Sequence, residues 1–351
     1  MDKKRILRLA ALAVLLIAYL LAEVTKVSVP TGDYEAKLEA SHRAAACFDA
    51  IRQLKVERGL EMDPTADINR TGMIGLEYSF ITTTIGNLEA KRTSTNPNMA
   101  AVVVDMFREL GLQSGDKVAI NCSGSFPALN IAVLCAADVL ELDPYLISSF
   151  GASTHGANDP ELTWLDMEYH LYELGLIGHR SDLFSIGGME DVGKEMDPGL
   201  RETITARIRD YGYELFYDED LVHNVQSRYG IYREQGDVKC FVNVGGNDAS
   251  FGDSNIVVYV DGGILTALPE KDNSTGLVQL FLKDSVPVIH LLNIKTLAAD
   301  YGLPIDPKPI PAVGDGGVYR QVQYCKWIPM AGLAAAAALL WLSREKNKYP
   351  V

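Results

Sequence analysis

One local pattern constrains this chain more than any other: an apolar strand, then a turn of Gly and Ser, then a helix opened by proline. Lys117–Asn121 reads as the strand, Cys122-Ser123-Gly124-Ser125-Phe126 as the turn and Pro127–Val139 as the helix, with proline at the first helical position, where its missing N–H costs nothing. The pattern returns. Tyr145–Ser149 reads as a strand, Gly151–Asp159 as a loop and Pro160–Leu174 as a helix. Asp182–Ile186 ends at Gly187-Gly188, and the helix Gly199–Tyr211 follows Asp197-Pro198. Lys239–Val244 stops at Gly245-Gly246-Asn247-Asp248, and Val286–Leu291 precedes a helical stretch from Asn293 to Tyr301. Strands that alternate with helices predict an α/β fold: a mostly parallel, Rossmann-like sheet with helices on both faces. Ahead of it the periodicity predicts a helix over Glu35–Leu60, a strand over Ile74–Thr84, and a helix over Met99–Leu110 capped by Asn98.

The two ends differ from this body. Lys3, Lys4, Arg5 and Arg8 surround a 17-residue apolar run from Ile6 to Ala22, which predicts a transmembrane anchor. A cleaved signal peptide has the same basic start, but bulky Leu20 and Leu21 spoil the small-residue cleavage pattern. At the other end Trp327–Leu342 is a 16-residue apolar run between Lys326 and Arg344, Lys346 and Lys348. It reads as a second span with interfacial tryptophans, or else as a buried Ala-rich helix. The resulting organisation is a cytoplasmic tail over 1–5, an anchor over 6–22, an α/β domain over 27–325, a second transmembrane helix over 327–342 and a tail over 343–351. Basic flanks stay in the cytoplasm, so the domain is expected on the far side of the membrane, with the lipid bilayer as a partner.

The formal charge is −14, and the segment between the two basic ends carries −20. An acidic body of this kind excludes nucleic acid as a partner, because phosphate backbones need a basic face. The five cysteines show no Cys-x-x-Cys pair and no disulfide framework, and Cys122, Cys135 and Cys240 sit in apolar runs as buried thiols.

Parallel sheets bind ligands beyond the carboxyl ends of their strands, so the loops after Asn121, Ser149, Ile186 and Val244 are the ones to inspect. The Ser123–Ser125 loop lacks the Gly-x-Gly-x-x-Gly and Walker patterns, which leaves no nucleotide fingerprint and no expected cofactor. Its backbone N–H groups at a helix start are expected to be free and, with the two hydroxyls, to hold a carboxylate or phosphate, Gly124 being part of the binding loop. Ser123 or Ser125 also stands where an elbow nucleophile would sit, with His155 as base and Asp248 or Asp159 to orient it. The plainer alternative gives both serines a capping role. Ser149, Gly151, Gly245, Gly246 and Asn247 complete the expected ligand-binding set. No His-Glu-x-x-His or other ligand spacing supports a metal.

A resemblance sharpens this. The basic N-terminal anchor, Thr93-Ser94-Thr95-Asn96-Pro97-Asn98, the run from Gly115 through Asn130, Val244-Gly245-Gly246-Asn247 and Tyr301-Gly302-Leu303-Pro304 together resemble the bacterial poly-gamma-glutamate system protein family. The resemblance implies a membrane-associated accessory of poly-γ-glutamate synthesis, export or capsule formation, whose outer domain binds the polymer or the membrane synthase subunits. It implies no catalytic residues. The alternative is a serine-dependent γ-glutamyl hydrolase or transpeptidase.

Overall fold

The computed structural model describes residues 3–252, 261–267 and 275–344. The chain divides into two compact units, one made of its two ends (Met1–Thr31 with Arg320–Val351) and one running from Gly32 to Tyr319.

In the terminal unit, α1 (Lys3–Thr25) leads into β1 (Val27–Pro30), which pairs antiparallel with β11 (Arg320–Gln323), and α12 (Trp327–Leu342) follows. Small residues let the two helices approach closely. Ala11, Ala18 and Ala22 on α1 and Gly332 and Ala336 on α12 are buried, and a Cβ added at Gly332 would stand 2.4 Å from that of Ala18. Among the described residues, α1 is the one helix long and apolar enough to cross a membrane. At 16 residues α12 falls below the ~17–25 that a span takes, so the second transmembrane helix read from the sequence is not supported. Lys346 and Lys348, part of its basic flank, lie outside the described residues.

The larger unit is α/β, as the alternation predicts. Its seven-stranded sheet has the order β7 (Glu214–Leu215), β6 (Leu183–Ser185), β3 (Asp143–Ser149), β2 (Lys117–Ser123), β8 (Val238–Val244), β10 (Val288–Leu291), β9 (Gly263–Leu265). All neighbours are parallel except β10 and β9. Chain order climbs outward from β2 through β3, β6 and β7, then restarts at β8 on β2's other side. The reversal therefore lies between β2 and β8.

Strand alternation sends side chains to two cores. Val118, Ile120 and Cys122 of β2 and Cys240, Val242 and Val244 of β8 join a core with α2 (Tyr34–Glu57), α4 (Met99–Glu109) and α5 (Pro127–Val139). Ala119 and Phe241 point to the opposite core, with Val225 and Tyr232 of α8 (Leu221–Glu234) and Phe281 of α10 (Leu277–Lys283). Both central strands are thus buried on both faces, which is why they read as continuous apolar runs. Cys47, Cys122, Cys135 and Cys240 are buried free thiols.

Three sequence expectations need correction. Ile74–Thr84 forms no strand beyond one isolated bridge, Thr82 to Ala152. There Ser79 N donates to Thr82 Oγ1 (2.8 Å) and Ile81 N to Ser79 Oγ (3.2 Å), so side-chain hydroxyls take the bonds a ladder would need. The helix expected from Pro160 starts at Trp164 instead: Pro160 sits between the short strands β4 (Asn158–Asp159) and β5 (Leu162–Thr163), and Thr163 with Asp166 forms a capping box that opens α6 (Trp164–Glu173). Asn98 does not cap α4; its Nδ2 donates to Ala312 O (3.1 Å) and its Oδ1 accepts from Tyr319 Oη (2.6 Å).

Candidate functional site

The loop after β2 is closed on itself. Gly124 N donates to Ser149 O (3.0 Å), Ser125 N to Ser123 Oγ (3.2 Å) and Phe126 N to Ser123 O (3.3 Å). These N–H groups, expected to be free for a carboxylate, all have internal acceptors. Gly124 does not make room for a ligand either, since a Cβ there would meet Phe150 O at 2.5 Å and Gly151 O at 2.9 Å. Its smallness lets the loops after β2 and β3 touch. Ala157 N donates to Gly124 O (2.8 Å) and Ser153 N to Ser125 Oγ (3.0 Å).

The loop after β8 reaches the same place. Gly245 adopts φ +86°, with its Cβ position 3.5 Å from Ser123 Cβ and 3.7 Å from the Phe126 ring. Gly246 is exposed, whereas Asn247 and Asp248 are half-buried. Asn247 Oδ1 accepts from Ser250 N (3.0 Å), capping the short helix α9 (Asp248–Phe251), while its Nδ2 is buried without a partner. Asp248 Oδ2 accepts from Glu190 N (2.7 Å), which ties in the loop after β6. Ser149 and Gly151 are buried in the frame: Ser149 Oγ donates to Cys122 O (3.4 Å) and Gly151 N to Ile186 O (2.8 Å).

His155 does not take the place expected of it. Its backbone is left-handed (φ 59°), its Nδ1 is buried with no hydrogen-bond partner, and it forms no hydrogen bond to Ser123 or Ser125 among the described residues. Burial holds its pKa below the ordinary value.

The group that does reach the serines is Lys91, on the short helix α3 (Leu88–Ser94). Its ammonium donates to Ser125 O and to Ser153 Oγ (2.8 Å) and lies 4.0 Å from the centre of the Phe126 ring. Lys91 is 2% exposed, and desolvation pushes its pKa down to about 7. Two other lysines are as deeply buried. Lys37 forms an ion pair with Asp105 (2.6 Å), and Lys55 donates to Ile74 O (2.9 Å), with burial lowering its pKa against the opposing pull of Asp67 and Asp159. Among the described residues no carboxylate pairs with Lys91.

A second polar nest lies on the opposite side of the sheet, under the same loops. Asn121 and Asn243 are register partners on β2 and β8, with Asn121 Nδ2 donating to Asn243 Oδ1 (3.0 Å) and to Ser250 Oγ (3.1 Å). Asn243 Nδ2 donates to Gly245 O (2.7 Å) and to His290 Nδ1 (3.1 Å), and burial pushes the His290 pKa down to about 4. Fully buried Arg228 bonds Asn121 Oδ1 (3.1 Å), Asn224 Oδ1 (3.0 Å) and Asp191 Oδ2.

The sequence reading missed Lys91, Ser153 and this nest. Lys91 stands between Glu89 and Arg92 and looks like part of a solvated face. A signal for the asparagines was present, since Ile120-Asn121-Cys122 and Val242-Asn243-Val244 each break an apolar strand at the same place. No group of three or more metal-ligating side chains occurs among the described residues.

No family model, curated protein or solved structure matches this chain.

Proposed function

We propose that this chain is a membrane-tethered component of a poly-γ-glutamate synthesis or export system, whose Gly32–Tyr319 unit binds the polymer or its synthase at the carboxyl end of the sheet. The observation that carries the reading is the meeting of the loops after β2, β3 and β8 at the point where strand order reverses, the place where parallel sheets hold ligands. Asn247 there is half-buried with its Nδ2 buried and unpartnered, so a carboxylate that reached this nitrogen would satisfy it. Helix α1 is the tether. Lys3, Lys4 and Arg5 at its start favour a cytoplasmic N-terminus and an outer domain.

Long-range charge opposes such a ligand, because the segment between the basic ends carries −20. Contact must be local, and salt relieves the repulsion as the Debye length shortens to about 10 Å at 0.1 M. Titration of the detergent-solubilised chain with a γ-glutamyl oligomer at several salt concentrations tests this. The expected affinity holds or rises with salt; no binding at any salt, or steep loss with salt, overturns the proposal.

A further inference from the structure

Lys91 is deeply buried, its contacts are neutral oxygens and an aromatic face, and among the described residues no carboxylate offsets its burial as Asp67 and Asp159 do for Lys55. Its nitrogen stands 2.8 Å from Ser153 Oγ, and Ser153 is held by its own N–H on Ser125 Oγ (3.0 Å). From these contacts we infer that Lys91 and Ser153 form a base–nucleophile pair for acyl transfer, acting on an amide or ester carbonyl that enters past the half-buried Ser125, Thr154 and His155. The inference goes beyond polymer binding and requires only an acyl group of that class.

The chemistry follows from the separation. A neutral amine within hydrogen-bond reach of a hydroxyl can take its proton as the oxygen attacks. Ser153 Oγ bonds to the carbonyl carbon, and the proton passes to Lys91 Nζ. Collapse breaks the bond to the leaving amine or alcohol, which takes that proton from the Lys91 ammonium. Water then bonds to the acyl carbon and gives a proton to Lys91; the ester bond breaks, the acid leaves, and Ser153 Oγ takes that proton back from the Lys91 ammonium. Lys91 has to be neutral at the start, and its pKa near 7 permits that at ordinary pH.

The charged groups around Lys91 leave its burial in control. On its own helix, Glu89 is engaged with Lys295 (2.6 Å) and Arg92 with Asp306 (2.6 Å). Ser125 and Phe126 bring no charge, and in the loop after β3 the titratable neighbour is His155, which Lys91 itself biases toward neutrality. His155 therefore adds little competing positive charge.

A fluorophosphonate probe on the detergent-solubilised full chain, followed by peptide mass spectrometry, tests the pair. The probe is expected on Ser153, with a rate that rises about tenfold per pH unit below 7 and levels above it. Ser153→Ala should remove the label, and Lys91→Met should slow it at least 100-fold at pH 8. Lys91→Arg, which keeps a cation but cannot become neutral, should be as slow as Lys91→Met. Labelling at Ser123 or Ser125 instead, no label on the folded wild-type chain, or a rate flat between pH 6 and 8 overturns the pair, even where a variant fails to fold. Oligomer binding by the unlabelled wild-type chain reports on the polymer proposal separately.

Discussion

Asn121 on β2 and Asn243 on β8 face each other across the reversal of strand order, joined by a 3.0 Å hydrogen bond. Each side chain also serves other buried groups: Asn121 Oδ1 accepts from Arg228, and Asn243 binds Ser250, Gly245 and His290. Replacing Asn243 with Leu strands several of these at once. Each orphaned group costs roughly 1–3 kcal/mol, so denaturant unfolding of Asn243→Leu is expected to show a loss of several kcal/mol. A change under about 0.5 kcal/mol would mean that the nest does not stabilise the sheet.

Arg228 and Asp191 form an ion pair in which both side chains are essentially inaccessible. Removing one partner leaves a buried charge, typically costing about 3–5 kcal/mol, whereas apolar replacement of both is far milder. A double-mutant cycle with Arg228→Met and Asp191→Leu should therefore be strongly non-additive, with the double variant more stable than either single one. Additive losses would argue against direct coupling.

Lys91 links stability to pH. Its folded pKa is near 7 and its ordinary value 10.5, so between these limits the unfolded chain binds the extra proton. Stability from this group therefore rises as pH climbs from about 7 to about 10.5, by at most about 5 kcal/mol. Lys91→Met should gain on the wild type as pH falls through that window. Parallel stability curves for the two proteins from pH 7 to 10 would show that Lys91 is not desolvated.

Gly124 is expected to resist every substitution. An added methyl meets two carbonyl oxygens of the Phe150–Gly151 segment, and overpacking of this kind costs about 1–3 kcal/mol. Gly124→Ala should lower the melting temperature measurably; an unchanged value would mean that the two loops separate freely.

Gly332 sets the approach of α12 to α1. Gly332→Leu should widen the distance distribution between spin labels placed at the exposed positions Leu16 and Leu333, measured in detergent by pulsed electron resonance. The same distribution in both proteins would show that Ala18 and Gly332 do not govern the pairing.

Much of the fold is legible in the sequence because it rests on short-range chemistry. Pro127 opens α5, and the apolar runs of β2 and β8 announce strands buried on both faces. Ile74–Thr84 misled because an apolar run rich in threonine suits a strand by composition, while hydroxyl–backbone bonds formed within the segment decide against one.

The sequence by itself determined the α/β alternation, the apolar helix at the start, the acidic body, and the loops that gather at the carboxyl end of the sheet. Only the tertiary structure decided what those loops contain. The backbone donors of Ser123–Phe126 turn inward because the loop after β3 presses on Gly124, and His155 is left without a serine. Lys91 comes from a helix 34 residues from Ser125 and 62 from Ser153 in sequence to meet both. A lysine's partner and its pKa depend on which chain segments exclude water from it, and no spacing along the sequence encodes that burial.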